Sequence, residues 1–160
     1  MSVERVIAHL SACGLADRIT THPTLCDTVT HAAETIGCRE EEIAKTMTFL
    51  LADGPIAIVC AGDARVKNGL YKAQFGEKAK MIPFEEVEAL VGHAPGGVCP
   101  FGLLPGVRVY LDESLRRFLT VHAAGGALDV TVRLSPAELE SAVNACAWVD
   151  VCDGWRTEAE

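Results

Sequence analysis

Thr46-Met47-Thr48-Phe49-Leu50-Leu51-Ala52, then Asp53-Gly54-Pro55, then Ile56-Ala57-Ile58-Val59-Cys60-Ala61: two apolar runs flank three turn residues. Runs of this length, rich in β-branched and aromatic side chains and split by Asp-Gly-Pro, predict two antiparallel strands joined as a hairpin. Gly62-Asp63 closes the second strand.

Upstream, Val3, Val6, Ile7, Leu10 and Cys13 recur at three- and four-residue spacings and predict a helix over 3–15, with Ser2 and Arg5 near its start. Residues 18–24 read as a short extended piece broken at Pro23. Val29, Ala32, Ala33 and Ile36 mark a second helix that stops at Gly37, with Asp27 or Thr28 as its cap. Residues 40–45 look like one more helical turn, with Ile43 and Ala44 facing inward.

Downstream, residues 68–75 predict a helix closed by Gly76, and residues 80–82 a short strand. Pro83 opens a helix whose apolar face is Phe84, Val87 and Leu90. Residues 107–111 and 119–123 read as strands around a helical turn at 114–118, and Gly125-Gly126 turns into a strand over 127–134. Ser135-Pro136-Ala137-Glu138 is a strong helix start, with a serine cap, proline at the first position and glutamate three residues on. That helix runs to about 145, a last strand covers 148–151, and Thr157-Glu158-Ala159-Glu160 is polar enough to fray. Strict β-α-β alternation is missing, so the reading is an α+β domain with an antiparallel or mixed sheet, in one unit over 1–160 with its core at about 3–151.

Composition narrows the function. The 160 residues are 49% apolar and 22% charged, ordinary for a globular chain. Fourteen Lys and Arg against 22 Asp and Glu leave −8, which argues against a general DNA-binding surface, since phosphate contacts supply most non-specific affinity. An RNA partner has to be gripped by a local patch or delivered by another protein. No secretory leader is expected, and the sequence has no apolar run of membrane-spanning length, no GxxxxGK[ST] loop and no G-x-G-x-x-G turn. Seven scattered cysteines without a CxxC pair give no zinc or dithiol motif, so most are expected as buried small hydrophobes in a reducing cytoplasm. The histidines lack metal-ligand spacing, and no metal or cofactor is expected.

Three features can carry chemistry. Lys45 sits between Ala44 and Thr46, its stem in apolar company and its ammonium able to meet a phosphate or a developing negative charge. Gly92-His93-Ala94-Pro95-Gly96-Gly97-Val98-Cys99-Pro100-Phe101-Gly102 holds four glycines and two prolines in eleven residues. Such a loop can be stiff and still show bare N–H groups to a carbonyl oxygen that gains charge during acyl transfer. Within it Cys99 is expected to line a pocket, and a thiol nucleophile near His93 is the weaker alternative. His122 and Asp129 flank the Gly125-Gly126 turn, where a hairpin could bring them together.

Ala44-Lys45-Thr46, then Cys60-Ala61-Gly62-Asp63-Ala64-Arg65-Val66, then the loop from Gly92 to Gly102, then Leu128-Asp129, come in the order seen in the YbaK/EbsC family. The chain resembles these free-standing relatives of the editing domain of bacterial prolyl-tRNA synthetase over about residues 3–151. The resemblance implies a mixed, mostly antiparallel and partly barrel-like sheet wrapped by helices. It implies hydrolysis of mischarged aminoacyl-tRNA carrying a small amino acid such as Ala, Ser, Thr or Cys, with tRNA-Pro as a carrier and a synthetase as a possible partner. On this resemblance Lys45 matches the family's essential lysine and would hold the 3′-terminal nucleotide, beside Thr46. Gly96, Gly97, Val98, Cys99 and Pro100 match the G-x-x-x-P loop that meets the aminoacyl ester. Asp129 matches an acidic pocket position, and His122 stands where some members carry serine. The attacking group is then water or the substrate's own 2′-hydroxyl. A different class of reading is a module that binds an aminoacyl-adenosine-like ligand or an RNA 3′ end without turnover.

Overall fold

A computed structural model describes residues 2–156. In chain order the elements are α1 (Ser2–Ala12), β1 (Ile19–Thr21), α2 (Val29–Ile36), β2 (Ile43–Leu51), β3 (Gly54–Ala61), β4 (Arg65–Val66), α3 (Asn68–Phe75), α4 (Val87–Val91), β5 (Arg108–Asp112), β6 (Val121–Ala124), β7 (Val130–Leu134), α5 (Pro136–Val143), β8 (Ala147–Val149) and β9 (Cys152–Asp153). Seven strands form one mixed sheet in the order β1-β7-β6-β2-β3-β5-β8, and β4 pairs with β9 in a small second ribbon. The fold is α+β, and its sheet stays open at β1 and β8.

The hairpin forms, but its turn is Ala52-Asp53 rather than Asp53-Gly54-Pro55: β2 and β3 pair antiparallel from Leu51↔Gly54 to Ala44↔Ala61, so Gly54 and Pro55 already belong to β3. β3 lies inside the sheet, between β2 and β5, where Ile56, Ala57, Ile58, Val59, Cys60 and Ala61 are all fully buried. A strand covered on both faces reads as a continuous apolar run, which is what this stretch is. β6 and β7 pair antiparallel, as do β1 and β7, whereas β2–β6, β3–β5 and β5–β8 pair parallel.

Helix ends follow local chemistry. Thr28 Oγ1 accepts from His31 N–H at the start of α2, and Gly37 ends it in the left-handed region at φ 84°. The capping box of α5 is complete: Ser135 Oγ accepts from Glu138 N–H at 3.1 Å, and Glu138 Oε1 accepts from Ser135 N–H at 2.9 Å. Glu138 also takes a two-pronged contact from Arg18, 2.8 Å at each oxygen, which ties the lead-in of β1 to α5.

Four expectations need correction. Residues 40–45 are not a helical turn throughout: a single 3-10 turn covers Glu40–Glu42, and Ile43 already pairs with His122 of β6. Ile43 is buried against Ala32 and Ala33 of α2 and Ala44 in the main core, a covering of both faces of β2 that spacing along the chain cannot reveal. Residues 80–82 make only an isolated bridge, Phe49↔Met81. Phe84 is 75% exposed rather than on an apolar face, because a 3-10 turn over Phe84–Glu86 precedes α4 and shifts the phase, leaving Val87 and Val91 inside. Among the cysteines only Cys60, Cys99 and Cys152 are buried, while Cys13 and Cys146 are exposed. The expectation for residues 157–160 lies outside the described residues.

Candidate functional site

Beyond Ala44 the β2 strand parts from β6, since their pairing covers only Ile43 and Ala44. The same edge is taken up again further on, where Ile82 N–H donates to Thr48 O and Leu50 N–H to Lys80 O. Those two bonds show that Thr48 and Leu50 turn their backbone groups outward, and Thr46 shares that direction by the two-residue period of a strand. Thr46 therefore sits in a gap of the sheet, and its Oγ1 is buried without a hydrogen-bond partner. An orphaned hydroxyl in such a place is costly unless something from outside completes it.

The gap opens into a cavity of about 200 Å³. Lys45, Thr46, Gly96, Val98 and His122 all line it. The cation, the glycine-rich loop and the histidine singled out in the sequence thus share one hollow. Lys45 is half-buried, and its Nζ donates to Gly62 O at 3.4 Å. Gly62 can come that close to the 40–42 turn only without a side chain, because a Cβ there would stand 2.1 Å from Glu40 O.

The loop is built as a 3-10 turn over Pro95–Gly97, closed by Gly97 N–H donating to Ala94 O at 2.8 Å. That bond uses the Gly97 amide, while Gly96 and Val98 on either side of it line the cavity. Gly97 itself is buried behind the lining, its backbone against the second glycine pair. A Cβ on Gly97 would meet Gly126 O at 2.5 Å. From below, α1 staples the loop: Arg5 reaches Gly92 O and, at 3.2 Å, Gly102 O, and His9 Nδ1 accepts from Gly102 N–H at 3.2 Å. Because Nδ1 accepts, His9 Nε2 carries the proton that it donates to Ala142 O at 2.6 Å.

Cys99 and Pro100 do not reach the cavity; both are buried in the loop's interior. His93 donates to Phe101 O at 2.6 Å, and the Cys99 thiol packs 3.6 Å from the same ring. Burial pushes the Cys99 thiol up to about 12 and the His93 imidazole below its ordinary range. A protonated, fully enclosed thiol is no nucleophile, so the Cys99 alternative fails on geometry and on charge.

His122 and Asp129 do not face each other. His122 stands opposite Arg133, and Asp129 lies in the turn before β7, its carbonyl accepting from His22 N–H at 2.7 Å. The Asp129 side chain is not part of the lining, though its charge reaches Cys26 on the cavity wall. Burial holds His122 below the usual imidazole range, with Glu42 opposing and Arg133 and His22 assisting, so the ring is neutral at pH 7.

The start of α2 contributes what the sequence reading overlooked. Cys26, Asp27, Thr28 and Val29 all line the cavity, as does Thr131, whose hydroxyl is 2.7 Å from His22 Nε2. Asp27 and Thr28 announce a helix cap, and nothing in their pattern says that the cap faces a hollow. Asp27 is held 2.5 Å from His31 Nδ1, a pairing that lowers the carboxylate and raises the imidazole. The remaining wall is apolar: Ala32, Ile36, Ile43, Leu128 and Val130. Chemically, the site offers an ammonium, an orphan hydroxyl, the loop backbone at Gly96 and Val98 and a carboxylate around a small apolar chamber. No cluster of His, Cys, Asp and Glu able to hold a metal occurs among the described residues.

Comparison with known proteins agrees in kind. The sequence profile of the aminoacyl-tRNA editing domain matches residues 24–142. The uncharacterized protein YwhH of Bacillus subtilis is 42% identical over 98% of this chain and 100% of its own length. EbsC of Enterococcus faecalis, named as a candidate Cys-tRNA(Pro)/Cys-tRNA(Cys) deacylase, is 27% identical over 70% of each chain. A crystal structure described as a candidate trans-editing enzyme for prolyl tRNA synthetase superposes with a TM-score of 0.86 at 30% identity, covering 96% of this chain and 98% of the other.

Proposed function

The chain belongs to the aminoacyl-tRNA editing domain family, and we propose that it is a free-standing deacylase that hydrolyses the ester of mischarged tRNA. The observation that carries this is the convergence of Lys45, the unpartnered Thr46 hydroxyl, Gly96, Val98 and His122 on one cavity of about 200 Å³. Water attacks the ester carbonyl, the acyl C–O bond breaks, and the ribose hydroxyl leaves with a proton. Attack by the neighbouring 2′-hydroxyl would only shift the acyl group along the ribose, so water must finish the reaction.

The amides of Gly96 and Val98 suit the oxygen that gains charge, and Lys45 suits the phosphate of the 3′-terminal nucleotide. The Thr46 hydroxyl finds in the bound ester or ribose the partner that the protein does not supply. Asp27, rather than Asp129, is the carboxylate at the mouth for the α-ammonium group. The apolar chamber selects by size, where one methylene is worth about 1–3 kcal/mol, which favours small side chains such as Ala, Ser, Thr or Cys. A reducing cytoplasm suits the seven free thiols. A tRNA-Pro carrier and a synthetase that hands it over fit the names borne by the relatives.

The test is deacylation of Ala-, Ser-, Thr- and Cys-tRNA by wild type and Lys45→Ala. The expected result is turnover at catalytic protein concentration on at least one ester and a loss of about tenfold or more in the variant, as removing a charge-assisted contact predicts. Protection of every ester without turnover would make the chain a binding module instead. Full activity of Lys45→Ala would remove the lysine from its role.

A further inference from the structure

All five lysines of the chain, Lys45, Lys67, Lys72, Lys78 and Lys80, fall within 36 consecutive residues, together with Arg65. This stretch holds six cations against three acids in a chain whose total is −8. Among the described residues none of the five lysines is in an ion pair, whereas Arg18, Arg39, Arg108, Arg116, Arg117 and Arg156 all are. The three acids within the stretch are engaged elsewhere: Asp53 with Arg108 and Asp63 with Arg117, each at 2.6 Å, and Glu77 with Ala52 N–H at 3.0 Å. Two of these acids are paired with arginines outside the stretch, while Glu77 keeps its charge and Asp153 stands opposite Arg65 in the β4–β9 pairing; six cations against these two acids leave the stretch positive.

Two of these cations line one hollow, and Lys67, Lys78 and Lys80 stand next in the chain to residues that line it. On the far side of Lys45 from the editing cavity lies a second, open hollow lined by Lys45, Met47, Arg65, Asn68 and Ala79. Asn68 Oδ1 accepts from Ala79 N–H at 2.8 Å, which fastens the segment carrying Lys78 and Lys80 to the start of α3, next to Lys67. Lys72 stands four residues on from Asn68, on the same helix face. Arg65, Lys67, Lys72, Lys78 and Lys80 are all exposed. Lys45 lines both hollows and so joins the band to the site of chemistry.

We infer that this band is the docking surface for the phosphate backbone of the tRNA strand that ends in the editing cavity. The inference rests on the deacylase reading and adds how an acidic protein holds an anionic substrate. The band tracks the sugar-phosphate chain, Arg65 and the lysines meet phosphates as the strand approaches, and Lys45 takes the last one at the cavity entrance. Phosphate contacts of this kind position the RNA and carry no sequence information.

The experiment compares Lys67→Ala/Lys72→Ala/Lys80→Ala with Arg108→Gln/Arg116→Gln/Arg156→Gln, which removes the same charge from ion-paired positions outside the band. Two readouts are used: fluorescence anisotropy of uncharged tRNA across a salt series, and steady-state deacylation of the best charged tRNA against the same aminoacyl group on a CCA trinucleotide. The lysine variant is expected to lose about tenfold or more in tRNA affinity and to raise KM with kcat unchanged, while the trinucleotide is cleaved as by wild type. Its salt slope should fall by about 2–3, close to one unit for each phosphate contact removed. The arginine variant should keep the wild-type values. Equal losses in both variants, or an unchanged slope in the lysine variant, would overturn the band. Wild type that binds tRNA through the band but cleaves no ester would instead overturn the deacylase reading and leave the band standing.

Discussion

Among the described residues two buried hydroxyls lack hydrogen-bond partners, and their surroundings give them opposite meanings. Tyr71 is fully enclosed among aromatic rings, with centroids 5.1 Å from Phe49 and 4.7 Å from Phe75. Burial pushes its phenol up to about 12, and the hydroxyl gains nothing from its neighbours. Tyr71→Phe removes a desolvated polar group and is expected to raise stability by about 1 kcal/mol in chemical denaturation. Thr46 Oγ1 instead faces the editing cavity. Thr46→Val is nearly the same shape and should leave the denaturation midpoint unchanged or slightly raised, while kcat/KM for the best ester falls by about tenfold, the worth of one hydrogen bond. If Thr46→Val lost stability and kept activity, the orphan would be a structural defect rather than a place reserved for substrate.

At the level of elements, the caps are where local chemistry can be checked against pH. Glu138 closes the box of α5 and receives both prongs of Arg18, and these contacts hold its carboxyl at about 2, well below the usual 4.5. A carboxylate lowered on folding adds stability at every pH above its unfolded value, and that contribution fades as pH falls from 4.5 towards 2. Glu138→Gln keeps a capping side chain but loses the ion pair. Thermal melts should show a lower Tm for the variant at pH 7 and a difference that closes as the pH approaches 2; a gap constant across that range would mean the charge is irrelevant. This helix start was legible in the sequence because Ser135, Pro136 and Glu138 act on backbone groups within one turn of themselves. The same holds for Thr28 and Gly37 around α2. What stayed hidden depends on partners far away in the chain. Residues 40–45 read as a helical turn until β6 arrives beside Ile43, and the parallel pairings of β5 with β3 and β8 have no turn to announce them. In the site, Lys45 and the glycine-rich loop were legible as chemistry, but a loop's composition does not say which side chain points where. Hence Cys99 proved to be locked against His93 and Phe101, and the cap residues Asp27 and Thr28 turned out to line the cavity.

For the molecule as a whole, charge decides how substrate is met. A net −8 repels RNA at long range, and only the side that carries the lysines attracts it. Neutralising phosphates releases counterions, so affinity falls with salt by a logarithmic slope of about 0.9 per contact on duplex RNA-like charge density and about 0.7 on single strands. With six cations in the band, the slope for tRNA should not exceed about 5, and affinity for uncharged tRNA at physiological salt should be about micromolar or weaker, in the range of non-specific binding. Weak capture suits an enzyme that must release correctly charged tRNA quickly, and it leaves room for a synthetase to raise the local concentration of substrate. Titration of labelled tRNA from low to physiological salt measures both quantities at once. A slope well beyond the band's capacity would require a second RNA-binding surface on a protein whose remaining face is dominated by acids. Nanomolar binding at physiological salt would mean that affinity comes from base and stacking contacts rather than phosphate, and the lysine band would then be a minor partner in recognition.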